Sequence, residues 1–223
     1  MKTAMILAAG RGERLKPLTD TLPKALCKIH GIPLIEYHVN HLAAAGFKTI
    51  VINHAYLGSE IRNRLKNGAR WNINIIYSAE PPGGLETGGG IVNALQQLGD
   101  EPFVTVNADI FTDFDFSTLS LAEQHLAHLV LVKQPSYYTH ADFGLSKEGL
   151  LSNHEKQFTF SGIACYRPEL LTNVQPGRFS ITPIIRQAAD DQRVSCNIHQ
   201  GYWNDIGTPE RLAIVNSQSI HAL

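Results

Sequence analysis

The stretch Ala8-Ala9-Gly10-Arg11-Gly12-Glu13-Arg14-Leu15 follows directly on a short apolar run. Glycines let backbone N–H groups close around an anion, and Arg14 adds a delocalised cation. An ordinary tight strand-to-helix turn would carry such glycines too. It would not require Lys24, which supplies a further cation just after Pro23. Ala8, Ala9, Gly10, Gly12, Arg14 and Lys24 are therefore expected to hold phosphate. No Gly-Lys-Ser/Thr follows, so this is not a Walker A loop. Nor is it a dinucleotide fingerprint, because Arg14 stands where the third glycine would be.

A second loop, Glu80-Pro81-Pro82-Gly83-Gly84-Leu85-Glu86-Thr87-Gly88-Gly89-Gly90, precedes a helical segment. Prolines stiffen its first half, and its glycines offer bare backbone to a flat ligand. It suits a nucleobase and ribose around Gly83, Thr87 and Gly88, with Glu80 accepting a base N–H. A flexible surface connection is the plain alternative, but three consecutive glycines at a helix start are destabilising and invite a functional reason.

Asp109 lies just past a strand in Val106-Asn107-Ala108-Asp109, and Asn107 faces the same side. A carboxylate there suits Mg²⁺, which prefers carboxylate, phosphate and water oxygens. Asp205 in Trp203-Asn204-Asp205-Ile206-Gly207-Thr208 has the right company to be the second metal carboxylate, although a turn or helix-capping aspartate would look the same. Glu155-Lys156 precedes a strand, and Lys156 either reaches a ligand phosphate or is simply solvated. The histidine pairs His38/His41 and His125/His128 lack an HExxH pattern or a cysteine cluster, so they read as structural. There is no GxSxG elbow to support a serine hydrolase.

These loops need a scaffold that gathers them. Residues 3–8, 49–53, 73–77 and 103–107 read as strands, separated by helices over 33–46, 57–67 and 91–98. That alternation predicts βαβ units and an α/β domain with a largely parallel central sheet covered on both faces. Ligands then bind beyond the carboxyl ends of the strands, where all three loops fall. The second half predicts strands at 127–132, 159–166 and 194–199, a short ribbon around 143–151, and helices at 182–189 and 209–220. No repeat, linker or composition shift divides the 223 residues, which are read as a single domain.

The chain is 43% hydrophobic, enough for a core, and carries 19 Lys+Arg against 20 Asp+Glu for a net charge of −1. This balance advertises neither nucleic acid nor an anionic membrane as partner. Three cysteines without CxxC spacing fit free thiols in a reducing compartment. The apolar run near the start is too short for a signal peptide, and no stretch approaches the ~20 residues of a membrane helix. A cytoplasmic protein is expected; the sequence is silent on oligomeric state.

The N-terminal motif, Ala8 to Thr19 followed by Leu22-Pro23-Lys24, resembles the signature of sugar-1-phosphate nucleotidylyltransferases. Gly31-Ile32-Pro33-Leu34-Ile35, the Leu85–Gly90 loop, Asn107 to Asp109, Phe160-Ser161-Gly162-Ile163 and Trp203 to Thr208 follow in that family's order. The resemblance implies a Rossmann-like (GT-A-like) three-layer sandwich with a mostly parallel mixed central sheet and an inserted sugar-binding region. It also implies that a nucleoside triphosphate and a sugar 1-phosphate give a nucleotide sugar and pyrophosphate. It implies that Arg14 and Lys24 contact phosphates, that Asp109 and Asp205 hold Mg²⁺, and that Gly162 and its neighbours border the sugar. Ala108 departs from the glycine usual before the metal aspartate, and Glu155-Lys156 matches the sugar-phosphate lysine motif only loosely.

Within the family, the compact length and the Leu85–Gly90 loop look most like the bacterial N-acetylmuramic acid 1-phosphate uridylyltransferases of peptidoglycan recycling, which use UTP. Mannose-1-phosphate guanylyltransferases, which use GTP, are the nearest rival. A GT-A glycosyltransferase would not need the long phosphate loop, and a non-catalytic nucleotide-binding module should have lost one of Arg14, Lys24, Asp109 and Asp205.

Overall fold

In the computed structural model, which describes residues 1–218, a seven-stranded sheet is ordered β12-β8-β11-β6-β1-β4-β5. Its parallel half is β1 (Thr3–Leu7), β4 (Thr49–His54), β5 (Asn74–Ala79) and β6 (Phe103–Asn107). β8 (Ala127–Lys133) and β12 (Val194–His199) run parallel to each other. β11 (Phe158–Tyr166) is antiparallel to both β6 and β8. One reversed strand therefore joins two parallel sets, giving the mostly parallel mixed sheet expected.

The central strands β1, β4 and β6 are buried on both faces, which is why they read as nearly unbroken apolar runs, while the edge strands β5 and β12 are partly exposed. Successive residues point to opposite sides. Ala4 and Ile6 of β1 thus pack with α1 (Leu34–Ala44) and α2 (Gly58–Leu65). Met5 packs on the other side with α3 (Glu86–Leu98) and α4 (Thr182–Asp190). α5 (Pro209–Ser217) closes the chain against a third, smaller cluster that includes Phe111 and Ile206. The helix expected over 209–220 thus spans Pro209–Ser217, and residues 219 and 220 lie outside the described residues.

Three two-stranded ribbons complete the architecture. β2 (Lys28–Ile29) pairs with β3 (Ile32–Pro33), and β9 (Gly144–Leu145) with β10 (Leu151–Ser152), the latter where a ribbon was expected. The third pairs β7 (Ile110–Thr112) antiparallel with β13 (Trp203–Asp205) and sets Asp205 opposite Ile110. The backbone N–H of Ile206 donates to the Asp109 carbonyl at 2.7 Å, so the two aspartates expected to hold metal sit on one stitched unit.

The main departure from the sequence reading is at α3. The helix begins at Glu86 rather than near Ile91, so Gly88, Gly89 and Gly90 lie inside it. Their smallness serves the protein's own packing. A β-carbon on Gly88 would lie 2.3 Å from the Phe179 ring, and one on Gly89 would lie 2.0 Å from the Gly177 carbonyl oxygen.

Candidate active site

The carboxyl ends of β1, β4, β5 and β6 open onto a crevice of about 450 Å³. The loop after β1 contributes Ala8 to Arg14, the segment after β6 contributes Asn107 to Asp109, and the β5–α3 loop contributes Gly83, Gly84, Glu86 and Thr87. Lys24, Asn53, Arg178 and Gly207 complete the walls used here. Crossover connections force this gathering, because parallel strands all end on the same side.

The glycine loop is held from behind. Asn53, at the end of β4, accepts the Ala8 N–H at 2.7 Å and donates from Nδ2 to Glu80 Oε1 at 2.6 Å. The second Glu80 oxygen accepts the Leu85 N–H at 2.7 Å. Both carboxylate oxygens of Glu80 are thus engaged by this chain. Glu80 braces the two loops against each other, and each of its oxygens keeps a lone pair for a further donor. Gly12 adopts a left-handed φ of 71°, and a β-carbon there would press on Thr19 at 3.0 Å and Lys24 at 3.1 Å. Arg11 is fastened to the Thr19 carbonyl and to Asp20, with its guanidinium 3.7 Å from the Tyr56 ring centroid. It stiffens the loop while Arg14, exposed at the rim, remains available to a ligand.

Lys24 Nζ lies 2.5 Å from Asp109 Oδ2, joining the phosphate loop to the end of β6. Asp205 is buried; its Oδ2 accepts from Arg211 Nη1, and its Oδ1 is buried with no hydrogen-bond partner. Gly207 lets these groups meet, since a β-carbon there would sit 2.8 Å from Asp205 Oδ2, 3.0 Å from Arg211 Nη1 and 3.2 Å from Arg14 Nη2. Tyr137 and Tyr138 cover Arg211, and burial reinforced by the Asp205 charge raises both phenols, Tyr137 to about 12.

The remaining expected residues divide. Gly83, with φ 94° and open space above it, and Thr87 line the crevice; the Thr87 hydroxyl also accepts the Ile181 N–H at 3.0 Å. Gly88 does not present bare backbone to a ligand. Its N–H donates to the Phe179 carbonyl at 3.0 Å and its Cα faces the Phe179 ring, which corrects its expected nucleotide contact. Gly162 has φ 83° at an irregularity in β11 and admits Asn107, whose Nδ2 would be 2.7 Å from a β-carbon there. It shapes the crevice through Asn107. Glu155 and Lys156 are exposed in the turn before β11 and line no part of the crevice.

Residues that the sequence reading passed over also line or support the site. Arg178, in the loop before α4, pairs at 3.2 Å with Glu86, the first residue of α3. Asn53 is fixed by Ala8 and Glu80 and Arg211 by Tyr137 and Tyr138, all distant in the chain, whereas Arg11 lies inside the glycine motif but is tied to Thr19, Asp20 and Tyr56. Four cations (Arg11, Arg14, Lys24, Arg178) stand against three carboxylates (Glu13, Glu86, Asp109) along the walls. Arg11, Lys24 and Arg178 are each paired with a carboxylate, which leaves Arg14, among the described residues, as the cation free to meet a ligand.

The nucleotidyl transferase family pattern matches residues 3–221, nearly the whole chain. This chain belongs to the nucleotidyl transferase family. It is 46% identical over 218 residues to the N-acetylmuramate alpha-1-phosphate uridylyltransferase of Neisseria meningitidis serogroup B, covering 94% of each chain. A mannose-1-phosphate guanyltransferase of Schizosaccharomyces pombe is 32% identical, over 93% of this chain and 61% of that one. The fold of this transferase also matches a crystal structure of UDP-glucose pyrophosphorylase complexed with UDP-glucose, with a TM-score of 0.79 at 21% identity, over 97% of each chain. No described helix of the transferase is long and apolar enough to cross a membrane.

Proposed function

We propose that this transferase moves a uridylyl group from UTP to N-acetylmuramic acid 1-phosphate, yielding UDP-N-acetylmuramic acid and pyrophosphate. The observation that carries the reaction class is the convergence of the glycine loop, Arg14, Lys24 and Asp109 on one crevice. The 46% identity to a uridylyltransferase, against 32% to a guanyltransferase, supports uracil over guanine and muramate over mannose.

The residues fit a hard divalent cation. Mg²⁺ is ordinarily held by one or two carboxylates together with substrate phosphates and water, not by an all-protein cage. Asp109 and Asp205 supply two such carboxylates, and the buried, unpartnered Oδ1 of Asp205 is an acceptor in want of a cation. Among the described residues no cluster of three or more His, Cys, Asp or Glu competes with this pair. Mg²⁺ bound there would neutralise phosphate charge in the ground and transition states.

The protein's own groups do the rest. Backbone N–H groups of the loop from Ala9 to Gly12 and the Arg14 guanidinium cradle the triphosphate. Gly83 and Thr87 border the base and ribose. Lys24 reaches from the phosphate loop toward the reacting phosphorus and offsets charge as it builds. A sugar phosphate is already an anionic nucleophile at neutral pH, so no general base is needed. Its oxygen attacks the α-phosphorus in line, the bond from that phosphorus to the bridging oxygen breaks, and pyrophosphate leaves.

A pyrophosphate-release screen tests this reading. UTP, GTP, dTTP, CTP and ATP would be crossed with the 1-phosphates of N-acetylmuramic acid, mannose, glucose and N-acetylglucosamine, with Mg²⁺. Dominant release from UTP with N-acetylmuramic acid 1-phosphate is the expected result. GTP with mannose 1-phosphate as the best pair would overturn it.

A further inference from the structure

Asp205 is held by Arg211 and flanked by the Tyr137 and Tyr138 phenols, and the group that holds it is itself clamped. Arg211 Nη1 bonds Asp205 Oδ2, leaving Oδ1 buried and without a partner. The Arg211 side chain is only 15% exposed, and its guanidinium lies 4.1 Å from the centroid of Tyr137 and 5.5 Å from that of Tyr138. Both tyrosines come from the loop after β8, a part of the chain otherwise remote from α5. The Tyr137 hydroxyl adds a bond to Asn204 Oδ1 at 3.4 Å, next to Asp205 itself. The Arg211 backbone is fixed as well, since its N–H donates to the capping Thr208 hydroxyl at 3.4 Å.

We infer that Arg211 is a positioning residue for Asp205, and that Tyr137 and Tyr138 act as its lock. Guanidinium stacking on two rings restricts a side chain that would otherwise sample many rotamers. With Oδ2 occupied, Asp205 offers a single oxygen, Oδ1, in one orientation. An outer partner of this kind orients a metal-binding carboxylate without touching the metal. The loop carrying Tyr137 and Tyr138 thereby becomes part of the cation site, although neither tyrosine reaches the crevice walls. This inference rests on the reading of Asp205 as a Mg²⁺ ligand.

The experiment is an Mn²⁺ titration of the protein saturated with UTP, followed by electron paramagnetic resonance, which separates protein-bound from nucleotide-bound and free ion. Asp205→Asn tests the underlying reading, and its failure to weaken Mn²⁺ binding would remove both reading and inference. If Asp205→Asn does weaken it, Arg211→Met is expected to raise the apparent Mn²⁺ dissociation constant about 10- to 100-fold, as loss of an outer partner typically does. Arg211→Lys should recover part of that loss. The double variant Tyr137→Ala/Tyr138→Ala, on a surface loop, should weaken binding in the same direction, while Tyr137→Phe/Tyr138→Phe, which keeps both rings, should weaken it less. Unchanged or tighter Mn²⁺ binding in Arg211→Met, or in the double alanine variant, would overturn the inference while leaving the Asp205 reading intact.

Discussion

Lys24 and Asp109, 85 residues apart in sequence, meet at 2.5 Å across the crevice. Asp205 has a matching cation in Arg211. The two carboxylates proposed for Mg²⁺ are thus each held on a single oxygen by a basic side chain before any substrate arrives. This arrangement lowers the repulsion between two acidic groups near one another, and it limits what must move when phosphates bind. We predict that Asp109→Asn and Asp205→Asn each lower kcat by about 10²–10³-fold, the range found when a group stabilising transition-state charge is removed. Circular dichroism and melting temperature should stay near the parent's for Asp109→Asn. Full pyrophosphate release from both variants would sink the assignment.

Glu80 separates two accounts of the second loop. If its carboxylate recognised the base, Glu80→Gln would change the preference between UTP and GTP. Since both oxygens are bonded to Asn53 and Leu85, we predict instead that Glu80→Gln lowers kcat/KM for the two nucleotides by the same factor. It should also destabilise the fold by about 1–3 kcal/mol, as expected for a broken, partly buried hydrogen-bond network. Steady-state kinetics with both nucleotides decides the matter, and a shift in their ratio would restore base recognition.

What was legible in the sequence followed from local physics. A strand covered on both faces must be continuously apolar, so the run that became β1 declared itself, and with it the loop that must follow. Asp109 was legible because a polar residue at the end of such a strand has one direction to face. The roles of Gly88 and Gly89 were not legible. A glycine that admits a ligand and one that admits Phe179 or Gly177 of the same chain have the same spelling, and only the fold says which neighbour arrives. Arg211 failed to announce itself for a related reason: its target is set by the β7–β13 ribbon, whose three-residue strands carry little periodicity. Lys156, whose place before β11 left it open between reaching a phosphate and being solvated, is exposed in the turn.

The packing of α3 on the loop before α4 gives a third prediction. Gly89→Ala would set a β-carbon 2.0 Å from the Gly177 carbonyl oxygen, a backbone atom that cannot swing away. Gly88→Ala meets the Phe179 ring at 2.3 Å, a side chain with some freedom. Both should destabilise by about 1–3 kcal/mol through overpacking, Gly89→Ala more. Pairing Gly88→Ala with Phe179→Leu should recover part of the loss, whereas no side-chain change at 179 should rescue Gly89→Ala. Urea denaturation of the parent, the two glycine variants and each glycine variant combined with Phe179→Leu measures this, and equal rescue of both glycine variants would contradict the assigned contacts.

His38 supplies the pH dependence. It is fully buried on α1, and that burial lowers its imidazole from 6.5 to about 4. Between those values the unfolded chain binds a proton that the folded chain excludes. Stability is therefore complete above pH 6.5, falls as pH drops toward 4, and then levels off with respect to this group. The full span corresponds to about 3 kcal/mol for a shift of this size. His41, His54 and His128 are shifted in the same direction by burial and steepen the same window. The exposed carboxylates of Glu13, Asp115 and Glu210 are held below their ordinary range, so they act only at lower pH. We predict that His38→Leu, which keeps a bulky side chain in the same space without a titrating group, flattens the melting-temperature profile between pH 6.5 and 4 and changes it little at pH 8. Thermal melts of parent and variant across that range provide the check. An unaltered slope in the variant would mean that His38 is not the group whose burial makes the fold acid-sensitive.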